Sequence, residues 1–285
     1  MDIKQRPFHF SNHELADPMT TRRMSARYMS TLIRMIAHLR LLSILVVGAL
    51  ALLVAGLAPV QGQNRVVNDG TSDPSPAPTE CNTAATADDN TIQDAVNNAT
   101  AGQTILVCPG TYTEEVNINK PLTLNGPNAG TSPNDATDRR NPNTSRIAEA
   151  IVEPTSGFAA FHIGADDITI DGFTLDGDFD NDGTGDILYG INNFDTGVGT
   201  YDATTNFRVV NNIVRDFEGF GIFMCNGDAS CTGFGSQATT GLTTDGVVST
   251  NRFVGIDGGS GAGKAIGMQV DGIIETVTDN VILTD

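Results

Sequence analysis

A short pattern of alternating apolar and polar residues occurs four times in the second half of the chain. The four copies are Ile168–Leu175, Phe207–Val214, Gly246–Phe253 and Thr276–Ile282. Each copy turns on Asn or Gly and then resumes with an apolar residue. Alternation of this kind is typical of β-strands with one buried face. A unit this short cannot bury its own apolar face, so the repetition predicts a solenoid in which neighbouring units cover each other.

The spacing of the four copies indicates the length of the repeat. Taken as Gly172, Asn212, Asn251 and Asn280, the equivalent positions lie 40, 39 and 29 residues apart. A second apolar segment follows each of the first three, at residues 190–192, 221–223 and 265–267. The shortest spacings combine into a bare unit of about 24 residues, and the remainder is inserted loop. Short strands in such a unit, without the consensus of leucine-rich repeats, predict an all-β fold, the right-handed parallel β-helix.

The asparagines of the pattern are predicted to stack at one corner of the solenoid. Side-chain amides of Asn212, Asn251 and Asn280 could then hydrogen-bond from coil to coil. The same residues are common turn formers. A stacked ladder and an ordinary turn are compatible interpretations.

The first 62 residues are predicted to be an N-terminal extension and a secretory signal peptide. Leu41–Ala58 is an apolar run of 18 residues that follows basic residues and ends in small ones. Cleavage after Gly62 would export the protein, to be secreted or held at the cell-envelope surface, with no stable membrane span. An uncleaved anchor is the alternative, because 18 residues can just span a bilayer. Translation from Met29 would give a signal of ordinary length.

The remaining chain divides into a linker and a repeat domain. Residues 63–80 are polar and rich in proline, which predicts a disordered linker. Residues 81–285 are predicted to form the β-helix. The last copy of the pattern ends without a capping segment, so the natural protein is expected to continue beyond residue 285.

The exported part is strongly acidic, with 9 Lys and Arg against 31 Asp and Glu after residue 62, a formal net charge of −22. Nucleic acid is excluded as a partner, since phosphate contacts need a basic face. A polyanionic glycan would also be repelled unless a divalent cation intervened. Otherwise the charge provides solubility.

All four cysteines lie in the exported part, where the compartment is oxidising. Their positions predict two disulfides, Cys81–Cys108 and Cys225–Cys231. Zinc is not expected, because there is no CxxC motif and His162 is the only histidine after the signal.

The start of the repeat domain predicts a cap, which an open solenoid end needs. Asn90 can cap a short helix whose apolar residues fall at helical spacing over Ile92–Ala99, and Gly102 stops it. Four segments here together resemble the start of pectin-lyase-like right-handed β-helix proteins: Thr91–Val96, Val107–Tyr112, Val116–Ile118 and Leu122–Gly126. The resemblance covers residues 81–285 and implies the fold. It implies no single activity, because that superfamily holds lyases, hydrolases, esterases, adhesins and non-catalytic binders.

Catalytic motifs of that superfamily are incomplete in this chain. Gly110–Glu114 resembles the first motif of pectin methylesterases, but the later motifs are absent. Asp166-Asp167 resembles one motif of polygalacturonases, but no Gly-His-Gly occurs and adjacent carboxylates on a strand point to opposite faces. That pair is therefore interpreted as a solvated corner. His162 is interpreted as a structural histidine. A lyase would need a basic residue, and the repeat region offers Arg208, Arg215, Arg252 and Lys264.

An acidic loop provides the sharpest local signal for a ligand. Its candidate calcium ligands are five aspartates, Asp176, Asp178, Asp180, Asp182 and Asp186. The middle three, followed by Gly183, resemble the opening of a calcium loop, in which alternate carboxylates converge. Tyr189 stands where the bidentate glutamate of such a loop is expected. A calcium site and a simple acidic loop are both open at this point.

The insertions predict a notch. Loops 176–186 and 255–264 flank a coil that carries no insertion, whose floor would be Val214–Gly219. Arg215, Asp216, Phe217 and Glu218 on that floor suit a sugar, with or without calcium. The sequence thus favours a non-catalytic module that contacts polysaccharide or serves a structural role. The alternative is a polysaccharide lyase or glycoside hydrolase.

Overall fold

The computed structural model describes residues 64–70, 81, 87–182, 185–195, 200–202, 204–225, 244–256, 266–271 and 273–283. All of them lie in one compact unit, Gln61–Asp285. Within these ranges the chain forms one helix, α1 (Ile92–Asn98), and twenty strands. The fold is therefore mostly β, as the sequence predicts.

Eighteen of the strands form three sheets in which all pairs are parallel. Sheet A contains β1 (Arg65–Val67), β2 (Gln103–Val107), β5 (Leu122–Asn125), β8 (Thr169–Asp171), β13 (Arg208–Val210), β16 (Thr244–Ser249) and β19 (Ile273–Thr278). Sheet B contains β3 (Gly110–Tyr112), β6 (Ala150–Val152), β9 (Thr174–Asp176), β14 (Ile213–Arg215), β17 (Arg252–Val254) and β20 (Val281–Leu283). Sheet C contains β4 (Val116–Ile118), β7 (Ala159–Ile163), β10 (Tyr189–Asn192), β15 (Phe220–Cys225) and β18 (Ile266–Asp271). Strands β11 (Phe194–Asp195) and β12 (Thr200–Tyr201) form a separate antiparallel pair.

The chain visits the three sheets in a fixed order. From β2 onward it passes through A, B and C and then returns to A beside the strand it left. Successive coils are β2–β3–β4, β5–β6–β7, β8–β9–β10, β13–β14–β15 and β16–β17–β18, and β19–β20 begin another. This order is consistent with an all-β parallel solenoid, in which each coil pairs with the coils on either side.

Apolar residues at one register position build the core. In sheet A, Leu124, Ile170, Val209, Val248 and Val277 are successive Cα partners. The first four are fully buried, while Val277 on the last described strand of the sheet is 48% exposed. The shortest coil brings Ile105 and Leu124 into register, 19 positions apart, so the bare unit is shorter than the predicted 24 residues.

The asparagine ladder is confirmed at the corner between sheets A and B. Asn212 and Asn251 are fully buried there. The backbone N–H of Asn212 donates to Asn251 Oδ1 at 2.9 Å, and the backbone N–H of Asn251 donates to Asn280 Oδ1 at 3.0 Å. The position assigned to Gly172 was wrong by one residue: the Phe173 amide donates to Asn212 Oδ1, so Phe173 holds the ladder position of its coil.

Gly172 instead belongs to the column of residues that make the turn before the ladder. Its equivalents Asn211, Thr250 and Asp279 all have positive φ, between 57° and 61°, and φ of Gly172 is 81°. A Cβ at Gly172 would lie 2.1 Å from the Ala129 backbone nitrogen, so only glycine fits in that coil. The turn residues and the ladder residues are neighbours in the same turn, and sequence alone did not show which of the two positions Gly172 holds.

The predicted cap is present, with two corrections at its ends. Thr91, not Asn90, is the N-cap, because its Oγ1 accepts a hydrogen bond from the Asp94 amide at 3.0 Å. The helix ends at Asn98, before Gly102, since Ala99 is already extended. Ile92, Ala95 and Val96 of α1 are buried.

The disulfide between Cys81 and Cys108 is confirmed. Cys225 is also disulfide-bonded. Its predicted partner, Cys231, lies outside the described residues. The pair Cys81–Cys108 joins residue 81 to the end of β2, next to the capping helix.

The predicted linker 63–80 is wrong at its start. Arg65–Val67 form β1, which pairs with β2 in sheet A, because two consecutive valines extend the apolar sheet by one strand. The Arg65 guanidinium also lies 2.6 Å from the Asp89 carboxylate. Residues 71–80 and the predicted signal 1–62 lie outside the described residues. None of the described helices is long and apolar enough to cross a membrane.

Candidate functional site

The predicted site residues lie where the chain passes from sheet B to sheet C. Three stacked loops form this region and follow β6, β9 and β14. Their described residues are 153–158, 177–182 with 185–188, and 216–219. We call the region the acidic corner, comprising Glu153, Asp176, Asp178, Asp180, Asp182, Asp186, Arg215, Asp216 and Glu218. Parallel pairing in register places side chains from three coils beside one another here.

An ion pair occupies the centre of the acidic corner. Asp176 and Arg215 are Cα partners on neighbouring strands. Arg215 Nε donates to Asp176 Oδ2 at 2.8 Å, and its NH2 group lies 2.5 Å from the same oxygen. Only 7% of the Asp176 side chain is exposed, against 43% for Arg215. A second carboxylate oxygen, from Asp216, is 3.8 Å from Arg215 Nε. The cation that the sequence placed on an open floor is therefore already paired.

Three carboxylates converge in the loop after β9. One carboxylate oxygen from each of Asp178, Asp180 and Asp186 lies within 4.8 Å of the other two. Asp182 contributes its backbone amide, which donates to Asp178 Oδ1 and to Asp180 Oδ1, both at 3.1 Å. Carboxylate oxygens are the ligands that calcium prefers. The residues that could hold such an ion are thus Asp178, Asp180 and Asp186.

Sequence reasoning missed Glu153. It follows Val152 as Asp176 follows Leu175, and Val152 and Leu175 are register partners. Burial raises the pKa of Glu153, and the charge of Asp176 raises it further, while Arg215 lowers it and Asp178 raises it. A glutamate directly after the apolar segment Ala150–Val152 was the available signal, but that copy of the pattern is separated from its neighbours by a long insertion.

Asp180 is surrounded by other carboxylates. The Asp182 amide lowers the pKa of Asp180, but burial and the charges of Asp182, Asp186 and Asp178 together raise the pKa above its ordinary value. A bound cation would relieve this repulsion.

The predicted notch differs from the structure in two respects. Phe217 is fully buried in the core and presents no ring to a ligand. Loop 177–188 lies directly on the supposed floor, because the Glu218 amide donates to the Ile187 carbonyl at 2.9 Å and a Cβ at Gly185 would be 2.4 Å from the Glu218 nitrogen. Of the far wall, residues 257–264 lie outside the described residues.

The remaining candidate residues have structural roles or lie elsewhere. Asp166 Oδ1 accepts from the Thr205 amide at 2.7 Å, and Asp167 Oδ1 accepts from Asn206 Nδ2 at 2.6 Å, as expected for a corner. His162 is a buried residue of β7, 3.3 Å from Asp202. Arg208 is exposed and Lys264 is outside the described residues.

We expect calcium to bind the acidic corner, and the triple change of Asp178, Asp180 and Asp186 to Asn to abolish this binding, because it removes all three converging carboxylates. Asp182→Asn is the matched control, since its amide remains. Calorimetric titration measures calcium binding to the wild type, the triple variant and the control. At a calcium concentration 100 times the Kd, the wild type should gain about 2.7 kcal/mol in its free energy of unfolding. Equal binding by wild type and triple variant, or none in the millimolar range, would contradict the site.

Comparison of the chain with protein-family models, with curated proteins and with solved structures gave no match.

Proposed function

We propose that this chain is an extracellular, non-catalytic module with a pectin-lyase-like, right-handed parallel β-helix fold, which contacts glycans through the acidic corner. The cyclic order of sheets A, B and C supports the β-helix. The Cys81–Cys108 disulfide supports an oxidising compartment. The resemblance of residues 81–285 to that superfamily, carried by the segments between Thr91 and Gly126, supports the family assignment.

The ion pair between Arg215 and Asp176 carries the non-catalytic assignment. A lyase needs a base that can accept a proton from the sugar ring. Arg215 instead donates through Nε and NH2 to a buried carboxylate, at 2.8 and 2.5 Å, so its guanidinium is already engaged within the fold. Arg252, a second predicted candidate, donates to the backbone carbonyls of Arg139 and Arg140. Both cations therefore act within the fold.

Glycan contact is supported by the exposed side of the same corner. The Arg215 and Asp216 side chains are 43% and 38% exposed and lie next to each other. Together with Glu218 they offer donors and acceptors to sugar hydroxyls, which do both. Calcium on Asp178, Asp180 and Asp186 would allow an acidic sugar to approach this otherwise negative surface.

A glycoside hydrolase is the second candidate, favoured by Glu153. Its raised pKa suits a general acid, and Asp176, which is paired with Arg215, could act as the partner carboxylate. Glycoside hydrolysis uses two carboxyl groups in different roles.

Incubation of the purified chain with a panel of neutral and uronate polysaccharides separates the two functions. We expect binding without release of reducing ends or unsaturated products. Asp216→Asn with Glu218→Gln should weaken binding several-fold, while Asp94→Asn on α1 should leave it unchanged. Product release that Glu153→Gln abolishes would establish the hydrolase and overturn the non-catalytic assignment.

A further inference from the structure

A second candidate site lies at the corner between sheets A and B. The chain between β5 and β6, residues 126–149, is a long insertion that lies against later coils. Together they form a half-open cavity of about 250 Å³, whose lining includes Ser132, Asp135, Ala136, Arg139, Thr250 and Asp279. None of these residues belongs to the acidic corner.

Buried hydrogen bonds hold the insertion in place. Arg252 is 8% exposed, and its guanidinium donates to the carbonyls of Arg140 at 3.0 Å and Arg139 at 3.4 Å. Asn134 Nδ2 donates to the Asn251 carbonyl at 3.3 Å, which ties the insertion to the asparagine ladder. Arg146 donates to the Asn211 carbonyl at 2.9 Å. The inner wall of the cavity is therefore fixed before any ligand arrives, which lowers the entropic cost of binding. Ala136 and Arg139 lie on the exposed rim.

The walls carry both acceptors and donors. Asp135 Oδ1 accepts from the Thr137 amide at 2.7 Å and from the Asp138 amide at 3.0 Å. Hydrogen bonds from Thr137 and Asp138 lower the pKa of Asp135, so its carboxylate is ionised. Arg139 and Asp279 form an exposed ion pair at the edge of the cavity, 2.5 Å apart. Ser132 adds a hydroxyl and Ala136 a methyl group.

Thr250 also lines the cavity, and it is one of the positive-φ residues that make the turn before the asparagine ladder. Its φ is 57°, a value that β-branched residues rarely adopt. The Thr250 hydroxyl donates to Asn211 Oδ1 at 2.7 Å. The turn thereby holds Thr250 at the wall of the cavity.

We propose that this cavity binds one neutral sugar residue of a glycan. The proposal rests on the glycan-contacting function above, but it assigns a separate subsite. A volume of about 250 Å³ lies below the range of roughly 300–1,000 Å³ typical of drug-sized ligands and suits a single ring. Ring hydroxyls match the mixture of carboxylate, guanidinium and hydroxyl groups, and the methyl group of Ala136 can contact ring carbons. Two lining carboxylates against one guanidinium, Asp135 and Asp279 against Arg139, disfavour an acidic sugar.

Saturation-transfer NMR with methyl glycosides of glucose, galactose and mannose tests the proposal, with galacturonic acid as the acidic comparison. We expect signals from at least one neutral glycoside, reduced at least tenfold in Ala136→Phe, which fills the cavity from its exposed rim without removing a polar group. Asp94→Asn on α1, which does not line the cavity, is the control and should retain the signal. Circular dichroism verifies that both variants are folded.

Absence of signal from all three neutral glycosides, unchanged signal in Ala136→Phe, or signal from galacturonic acid alone would overturn the cavity assignment. Polysaccharide binding is measured in parallel. If Ala136→Phe keeps the hexoside signal while wild type binds polysaccharide, the cavity assignment fails and the proposed function stands. If Ala136→Phe loses the hexoside signal while wild type binds no polysaccharide, the proposed function fails and the cavity assignment stands.

Discussion

Replacing Asn251 with Ala is expected to lower the free energy of unfolding by about 4 kcal/mol, because it interrupts a fully buried ladder. Asn251 Oδ1 accepts from the Asn212 amide at 2.9 Å, and Asn251 Nδ2 donates to the Val209 carbonyl at 2.8 Å. The Asn212 backbone N–H and the Val209 carbonyl would remain buried, each without the hydrogen bond that Asn251 provides. An unsatisfied buried group costs about 1–3 kcal/mol. The side-chain bond from Asn251 Nδ2 to Asn280 Oδ1, at 3.0 Å, would also be lost.

Urea denaturation monitored by circular dichroism measures this effect. Asn280→Ala is the matched control, because Asn280 lies at the half-buried end of the described ladder, where water can replace the lost partner. We expect the control to cost about a third as much, on the order of 1 kcal/mol. A loss below 1 kcal/mol for Asn251→Ala would show that the ladder contributes no more than an ordinary turn.

Replacing Cys81 and Cys108 together with Ala is expected to cost about 3 kcal/mol. The disulfide closes a loop with a sequence separation of 27, and releasing it restores chain entropy to the unfolded state. The effect should be localised to the cap, where β1 and α1 pack on the first coil. Thermal unfolding with and without reductant measures it.

Reduced wild type provides the control for this variant. Reductant also breaks the disulfide of Cys225, so the double variant is reduced as well, and the two should then unfold at the same temperature. Peptide mapping of the oxidised protein should link Cys81 to Cys108, and denatured protein without reductant should show no free thiol. A link from Cys81 to Cys225 or Cys231 would contradict the placement of the cap.

The acidic loop illustrates how far the sequence reaches at the candidate site. The sequence offered all five aspartates of this loop as candidate ligands, and three of them, Asp178, Asp180 and Asp186, converge. Asp182 turns its backbone amide toward Asp178 and Asp180 instead, and Asp176 pairs with Arg215. A linear spacing rule assumes a loop of standard shape, and the loop here is shaped by the coil beneath it.

Phe217 is a residue for which the sequence prediction was wrong. Its position between Asp216 and Glu218 suggested an exposed ring, but it is fully buried. Gly177 and Gly190 allow this, since a Cβ at Gly177 would lie 2.8 Å from the Phe217 ring and a Cβ at Gly190 would lie 3.3 Å from it. The space for the Phe217 ring is created by glycines of a neighbouring coil, so the sequence around Phe217 does not indicate that it is buried.

The sequence by itself determined the strand pattern, the asparagine turns and the capping helix, because these depend on side chains that are neighbours along the chain. Only the tertiary structure decided which residues share the acidic corner. Glu153, Asp176 and Arg215 are adjacent in the coil stack although 23 and 39 positions separate them in sequence. Insertions of different length lie between equivalent strands, so the sequence distance between stacked residues varies from coil to coil. Parallel pairing restores their register, and with it the ion pair and the raised pKa of Glu153.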